Sequence, residues 1–146
     1  MSGDHDPARR DGTMSVLQGL TTMVVTADDV DAAAEWYTGV LGAEPYFRRP
    51  ETGPAGYVEF RIGPDEDELG IMDRTFMPAA SAGSGTSITY WHVDDVEATM
   101  SDLLARGAVE HDAVTSRGEG FVTASVVDPF GNVIGLMHSP HWAERH

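Results

Sequence analysis

Residues 20–42 read LTTMVVTADDVDAAAEWYTGVLG and residues 86–107 read TSITYWHVDDVEATMSDLLARG, and the likeness of the two stretches decides the fold. Each begins with a run rich in β-branched residues, Leu20 to Thr26 and Thr86 to Val93, which reads as a strand. Each then meets paired acids, Asp28-Asp29 and Asp94-Asp95, whose side chains suit the cap of a helix. Apolar residues follow at helical spacing: Val30, Ala33, Ala34, Tyr37, Val40 and Leu41 in the first, Val96, Met100, Leu103 and Leu104 in the second. Gly42 and Gly107 end the two helices at the position where a left-handed residue is needed. Asp29-Val30 returns as Asp95-Val96 with an offset of 66 residues, so the chain carries an internal duplication.

Three extended stretches follow each helix. After the first come Glu44 to Arg48, Gly56 to Ile62 and Leu69 to Asp73, separated by turn chemistry at Glu51–Pro54 and Gly63–Asp67. After the second come Val109 to Val114, Gly120 to Val127 and Val133 to His138, the last two joined by the turn Asp128-Pro129-Phe130-Gly131-Asn132. The reading is one α+β domain over residues 19–138, built of two paired βαβββ modules, 19–78 and 83–138, joined by the small-residue linker Pro78–Gly85. Residues 1–18 read as a flexible N-terminal tail and 139–146 as a C-terminal tail. Each sheet buries one face under its own helix. The two uncovered faces then line an open, cleft-bearing barrel, and that cleft is the expected ligand position.

Composition narrows the chemistry. The 146 residues contain no Cys, which removes disulfides, thiolate catalysis and iron–sulfur clusters. No Lys is present, which removes a Schiff base and a P-loop lysine. With 24 acids against 9 bases, all of them Arg, the net charge of −15 repels phosphate backbones, so no nucleic acid is expected as a partner. No apolar run approaches the ~20 residues of a membrane span. With no apolar leader either, the expectation is a cytoplasmic protein with no membrane partner. The four acids Asp65-Glu66-Asp67-Glu68 lack the spacing and glycine of a calcium loop and read as a solvated hairpin turn.

The motifs, in order, resemble those of the vicinal oxygen chelate superfamily, which includes glyoxalase I, extradiol dioxygenases, methylmalonyl-CoA epimerase and the fosfomycin and bleomycin resistance proteins. Asp29-Val30, Glu35-Trp36-Tyr37 and Val40-Leu41-Gly42 resemble the opening of its first module. Val93-Asp94-Asp95-Val96, Gly107-Ala108 and Asp128-Pro129-Phe130-Gly131-Asn132 resemble the signatures of its second. The resemblance implies a glyoxalase/bleomycin resistance/dihydroxybiphenyl dioxygenase-like fold over roughly residues 19–138. In metal-dependent members, His or Glu side chains from the first and last strands of each module hold a divalent ion. The corresponding positions here are Thr22, Ile71 or its neighbour Met72, Ile88 and Gly135, none of which supplies an imidazole or carboxylate. The expectation is therefore no metal and no cofactor.

Strand alternation nominates the residues that face the cleft. His92 lies four residues beyond Ile88 and two beyond Tyr90, on their side. Glu59 and Arg61 share a face with Tyr57, opposite Val58, Phe60 and Ile62. Asp73 has the parity of Ile71. Tyr46, Tyr57, Arg61, Asp73, Tyr90, His92 and Met137 are the expected ligand-binding set, with Trp36, Tyr37 and Trp91 expected in the core. The leading reading is a metal-independent small-molecule-binding protein resembling the bleomycin-resistance branch, with an aromatic or cationic ligand in the cleft, and a homodimer because open sheets leave bare edges. The alternative is a glyoxalase-like lyase, isomerase or epimerase using His92 with Glu59 as the catalytic pair, with or without a displaced divalent metal; the balance leans away from an enzyme. The tail His138-Ser139-Pro140-His141-Trp142 either folds back over the cleft mouth or a partner subunit, or frays.

Overall fold

The structure is a computed structural model that describes residues 9–10, 13–14, 18, 20–76 and 87–146. The linker expected at Pro78–Gly85 lies outside the described residues. So does most of the expected N-terminal tail, apart from strands β1 (Arg9–Arg10) and β2 (Thr13–Met14), which pair antiparallel.

The duplication is realised as two four-stranded sheets. Strands β3 (Thr22–Ala27), β4 (Phe47–Arg49), β5 (Tyr57–Ile62) and β6 (Asp67–Asp73) form the first, in the order β3-β6-β5-β4. Strands β7 (Thr89–His92), β8 (Val109–Gly118), β9 (Phe121–Val127) and β10 (Val133–His138) form the second, in the order β7-β10-β9-β8. In each, the first strand of the module runs parallel to the last, β3 with β6 and β7 with β10. Helix α1 (Val30–Leu41) crosses over in the first module and α2 (Val96–Ala105) in the second, and a short helix α3 (Pro140–Arg145) follows β10.

The caps are those the paired acids suggest. Asp29 accepts from the Ala32 N–H and Asp95 from the Ala98 N–H, both at 3.0 Å, satisfying donors that a helix start leaves unpaired. Gly42 adopts φ 67° and its N–H closes onto the Thr38 carbonyl at 2.9 Å. The helices bury the expected residues: Val30, Ala33, Ala34 and Tyr37 of α1, and Val96, Met100 and Leu103 of α2. They pack on Val58, Phe60, Leu69 and Ile71 of the first sheet and on Ala124, Val126 and Leu136 of the second.

Two strands depart from expectation. The stretch from Glu44 contributes only three paired residues, because Pro45 has no N–H to donate and Tyr46 reaches only the Glu59 carbonyl, at 3.0 Å. Strand β8 instead runs on to Gly118, four residues past the expected end. Its polar sequence gives no alternation to read, and register shifts at Asp112, Thr115 and Gly118 let an exposed edge continue to pair.

The two modules are joined on the helix side, at the Asp128–Asn132 turn. Asp128, 3% exposed, accepts from the phenol of Tyr37 on α1 at 2.5 Å and from the N–H groups of Phe130 and Asn132 at 2.8 Å. The Asn132 side chain donates to the Thr26 carbonyl at 2.8 Å, and Arg74 donates to the Phe130 carbonyl at 2.6 Å. Trp36 donates to the Arg106 carbonyl at 2.9 Å. The turn therefore does structural work, as its Pro and Gly suggest. Strands β3 and β7 meet at a seam without a hydrogen-bonded ladder, around a cavity of about 290 Å³ that includes Met23, Val25, Thr89, Trp91 and Ile134. The two sheets are not closed into a barrel, and their uncovered faces leave the open cleft that the paired modules imply.

Candidate functional site

Register assigns the faces. In the first sheet Val58 and Ile71 pair, as do Phe60 and Leu69, and these lie under α1. Tyr57, Glu59 and Arg61 of β5, Gly70 and Met72 of β6 and Thr22 and Val24 of β3 therefore share the uncovered face. In the second sheet Tyr90 pairs with Gly135 and His92 with Met137, opposite Trp91 and Leu136, which pack inward. Tyr57, Glu59, Arg61, Tyr90, His92 and Met137 thus stand where alternation puts them.

Asp73 does not. Its parity is indeed that of Ile71, but Ile71 is fully buried under α1, so this parity belongs to the helix side. The open-face neighbour is Met72; in a strand, one residue of shift changes the face. Asp73 sits at the strand end, accepting from the N–H and hydroxyl of Thr75 at 2.9 and 2.7 Å, bonds that hold its carboxyl below the usual carboxylate range.

On the first sheet the polar groups form one cluster. The phenols of Tyr46 and Tyr57 donate to the two oxygens of Glu59, one to each. Burial and the Glu59 carboxylate push the Tyr57 phenol up, and the hydrogen bond to Glu59 does the same for Tyr46, so both stay protonated donors. Arg61 lies over the Tyr46 ring at 4.1 Å and 3.6 Å from Glu68, which in turn accepts from Thr22 at 2.9 Å. Phe47 packs between Tyr46 and Tyr57, with centroids 6.4 and 6.3 Å away, and carries Arg49 at 5.3 Å. The result is an aromatic floor bordered by guanidinium groups. A groove of about 470 Å³ continues from Tyr46 and Phe47 past Glu44 to Asp31 and Glu35 of α1. There the Ala55 N–H, then Arg48 at 2.9 Å, hold Asp31 below the usual carboxylate range.

On the second sheet the ring of Tyr90, 41% exposed, lies across Gly135. A Cβ at Gly135 would stand 2.6 Å from the Tyr90 ring and 2.8 Å from the Thr89 carbonyl oxygen. Beside them Thr123, 6% exposed, accepts from Arg117, and Ser125, 1% exposed, shares a hydrogen bond with His111 Nδ1, each at 2.9 Å. These four residues belong to the open face and escaped the sequence reading. The signal was present for two of them: in FVTASVV, residues 121–127, Thr123 and Ser125 alternate with Val122, Ala124 and Val126. His111 and Arg117 sit on the irregular edge strand and gave no pattern.

His92 and Glu59 are not brought together as an acid/base pair. Both Glu59 oxygens already hold phenols. His92, its side chain 7% exposed, accepts the Ser139 N–H at Nδ1 (3.1 Å), and its Nε2 lies 3.3 Å from Asp94. A nitrogen that accepts an N–H carries no proton, so in the neutral ring the proton sits on Nε2, toward Asp94. Trp142 of α3 stacks on the His92 ring at 4.4 Å and 15°, so the C-terminal residues fold back over the open face.

The positions that would hold a family metal do not fit one. The Thr22 hydroxyl is spent on Glu68, Met72 and Ile88 offer no hard donor, and Gly135 lies beneath the Tyr90 ring. Elsewhere His92, Asp94 and His138 offer ligand atoms within 4.8 Å of one another. His138 donates Nδ1–H to the Val93 carbonyl at 3.2 Å, leaving Nε2 free, a normal ligand arrangement. His92 defeats the site, since coordination through Nε2 while Nδ1 accepts from Ser139 would require an imidazolate.

Comparison with known proteins agrees with this architecture. Among solved structures, a glyoxalase-related enzyme from Fulvimarina pelagi superposes with TM-score 0.65 at 20% identity, covering 85% of this chain and 90% of its own. A lactoylglutathione lyase from Agrobacterium tumefaciens gives 0.64 at 21%, covering 87% and 98%. TioX from Micromonospora sp. ML1 gives 0.64 at 16%, covering 82% and 98%. At such identities the likeness is one of fold. No curated protein matches the sequence. Residues 19–136 match the profile of the Glyoxalase/Bleomycin resistance protein/Dioxygenase superfamily, most of the chain, and the protein therefore belongs to that superfamily.

Proposed function

We propose that this protein binds a small planar aromatic molecule on the uncovered faces of its two sheets, without a metal. The observation that carries the reading is Tyr90 over Gly135. A position that would hold a metal ligand in metal-dependent members is instead a glycine, and the space is filled by a half-exposed aromatic ring. Tyr46, Phe47 and Tyr57 continue the aromatic surface on the first sheet, and Met137 supplies adaptable apolar area beside His92. The net charge of −15 would favour a cationic ligand, but the acids gather on helices and turns. Arg49, Arg61 and Arg117 stand near the open faces with Glu59, Glu68 and Asp112, so opposite charges offset one another there and aromatic character governs recognition more than charge does. Tyr57, Arg61, Tyr90 and Met137 are the ligand contacts in this reading, with Tyr46 at the rim.

The working form in this reading is a cytoplasmic homodimer. Exposed Val24, Ile88 and Phe47 and the bare edges of β4 and β8 support a second copy. An NMR survey with uncharged, cationic and anionic aromatic fragments tests the ligand assignment. Shift changes should concentrate on Tyr46, Tyr57, Tyr90 and Met137 with the uncharged and cationic rings. Changes confined to α1, α2 or the β5–β6 turn at residues 63–66 would overturn it.

A further inference from the structure

Helix α3 is attached in an unusual way. None of its residues is buried, yet its one indole, Trp142, lies flat on the His92 imidazole of the open face. The indole is sandwiched: His92 on one side at 4.4 Å and 15°, His146 on the other at 3.9 Å and 11°. Ser139 caps the helix by accepting from the Trp142 N–H at 3.1 Å, while its own N–H donates to His92. His146 is anchored at both nitrogens, Nδ1 2.9 Å from the Trp142 carbonyl oxygen and Nε2 3.1 Å from Asp65 in the β5–β6 turn. Both partners are acceptors, so the bound form is the imidazolium. The helix thus straps the second module to the first by contacts at its two ends, with an aromatic ring lying between them.

A ring stacked on a polar open-face side chain marks a subsite for a ring. Trp142 is 38% exposed, so the indole is held by stacking and not by enclosure. We propose that Trp142 is an intramolecular occupant of a subsite for a planar aromatic ring, formed by the face of His92, and that a ligand ring binds there by displacing α3. The proposal rests on the binding reading above and adds to it a ligand position and a means of regulation. Displacement frees the His92 face and returns Trp142 and His146 to water. The hydrogen bond between His92 and Asp94 persists, so the imidazole keeps its orientation for the incoming ring.

Indole is the probe, and the three tryptophans, Trp36, Trp91 and Trp142, are labelled as 5-fluorotryptophan, with the Trp142 signal assigned by Trp142→Phe. Titration of the full chain should move the Trp142 fluorine signal toward that of a solvated tryptophan while Trp36 keeps its position. Indole should bind Trp142→Ala about tenfold more tightly, the factor expected if the strap is closed in roughly nine molecules of ten. The variant removes no buried side chain, and a single cooperative urea transition with an unchanged slope checks that it folds, its midpoint lowered only by the loss of the strap. Equal affinity in both proteins with an unmoved Trp142 signal would overturn the displacement and leave the binding reading intact. Tighter binding to the unaltered chain would make Trp142 a wall of the site and overturn it as well. Failure of indole to bind either protein would remove the subsite, while the fragment survey decides the wider reading independently.

Discussion

Replacing Tyr37 by Phe tests the joint between the modules. The phenol lies 2.5 Å from Asp128, and both residues are 3% exposed. The substitution keeps the ring, which meets Trp36 edge-on at 4.9 Å, so packing is preserved and the loss is one hydrogen bond to a carboxylate. Bonds to charged groups contribute roughly 1.5–3 kcal/mol. Asp128 is not orphaned, because Asn132 and two backbone N–H groups still donate to it, which places the cost toward the lower end, about 2 kcal/mol. For a chain of this length that is a fall in Tm of roughly 4–8 °C. Urea unfolding should show a lower midpoint with an unchanged slope. Asp128→Ala, which strands two N–H groups and the phenol, should cost more, about 3–5 kcal/mol at roughly 1–3 kcal/mol per unsatisfied buried donor. If Tyr37→Phe unfolds within ~0.5 kcal/mol of the unaltered chain, the bond contributes nothing net and the joint rests on apolar packing alone.

Three further outcomes follow from the site. Gly135→Ala should destabilise by about 1–3 kcal/mol and displace the Tyr90 ring, because the added carbon meets both that ring and the Thr89 carbonyl; calorimetry with a Tyr90 NMR probe checks both effects. The backbone bond to Trp142 and then Asp65 raise the His146 pKa, so its anchorage is complete below the ordinary imidazole value and is lost as pH rises through the raised one. The Trp142 fluorine signal should accordingly move toward the solvated position as pH rises above the ordinary imidazole value, and a flat profile would contradict the imidazolium assignment. Sedimentation at micromolar concentration should return twice the 15.7 kDa chain mass, and a clean monomer would remove the dimer.

Much of the fold was legible because the determinants are local. The capping aspartates, Gly42 and the apolar spacing of α1 and α2 act within one or two turns, and the repeat states them twice. The open-face assignments of Tyr57, Glu59, Arg61, Tyr90 and His92 were legible for the same reason, since alternation is a property of the strand itself. Asp73 failed because parity is relative: the count was sound, but the face it refers to is fixed by what packs on Ile71. The partners of Glu59 and His92 were not legible at all. Tyr46 reaches Glu59 only because Phe47 pairs with it across two strands, and Ser139 reaches His92 because β7 lies parallel to β10. Such contacts depend on register and chain return, which one-dimensional spacing does not encode. The strap of α3 belongs to this class, its six residues too few for a periodic signal.

Recognition of an aromatic ring on the open face is, in this reading, independent of any metal. Titration calorimetry of the most strongly shifted aromatic fragment, run with protein treated with EDTA and again after addition of one equivalent of zinc, nickel, iron(II) or manganese, tests it most directly. The affinity should be the same in every case, and should fall about tenfold or more when Tyr90→Ala removes the ring, in line with the ~1.5–3 kcal/mol of a buried aromatic contact. Binding that appears only with the metal, or one equivalent of metal retained on the open face and required for affinity, would contradict it.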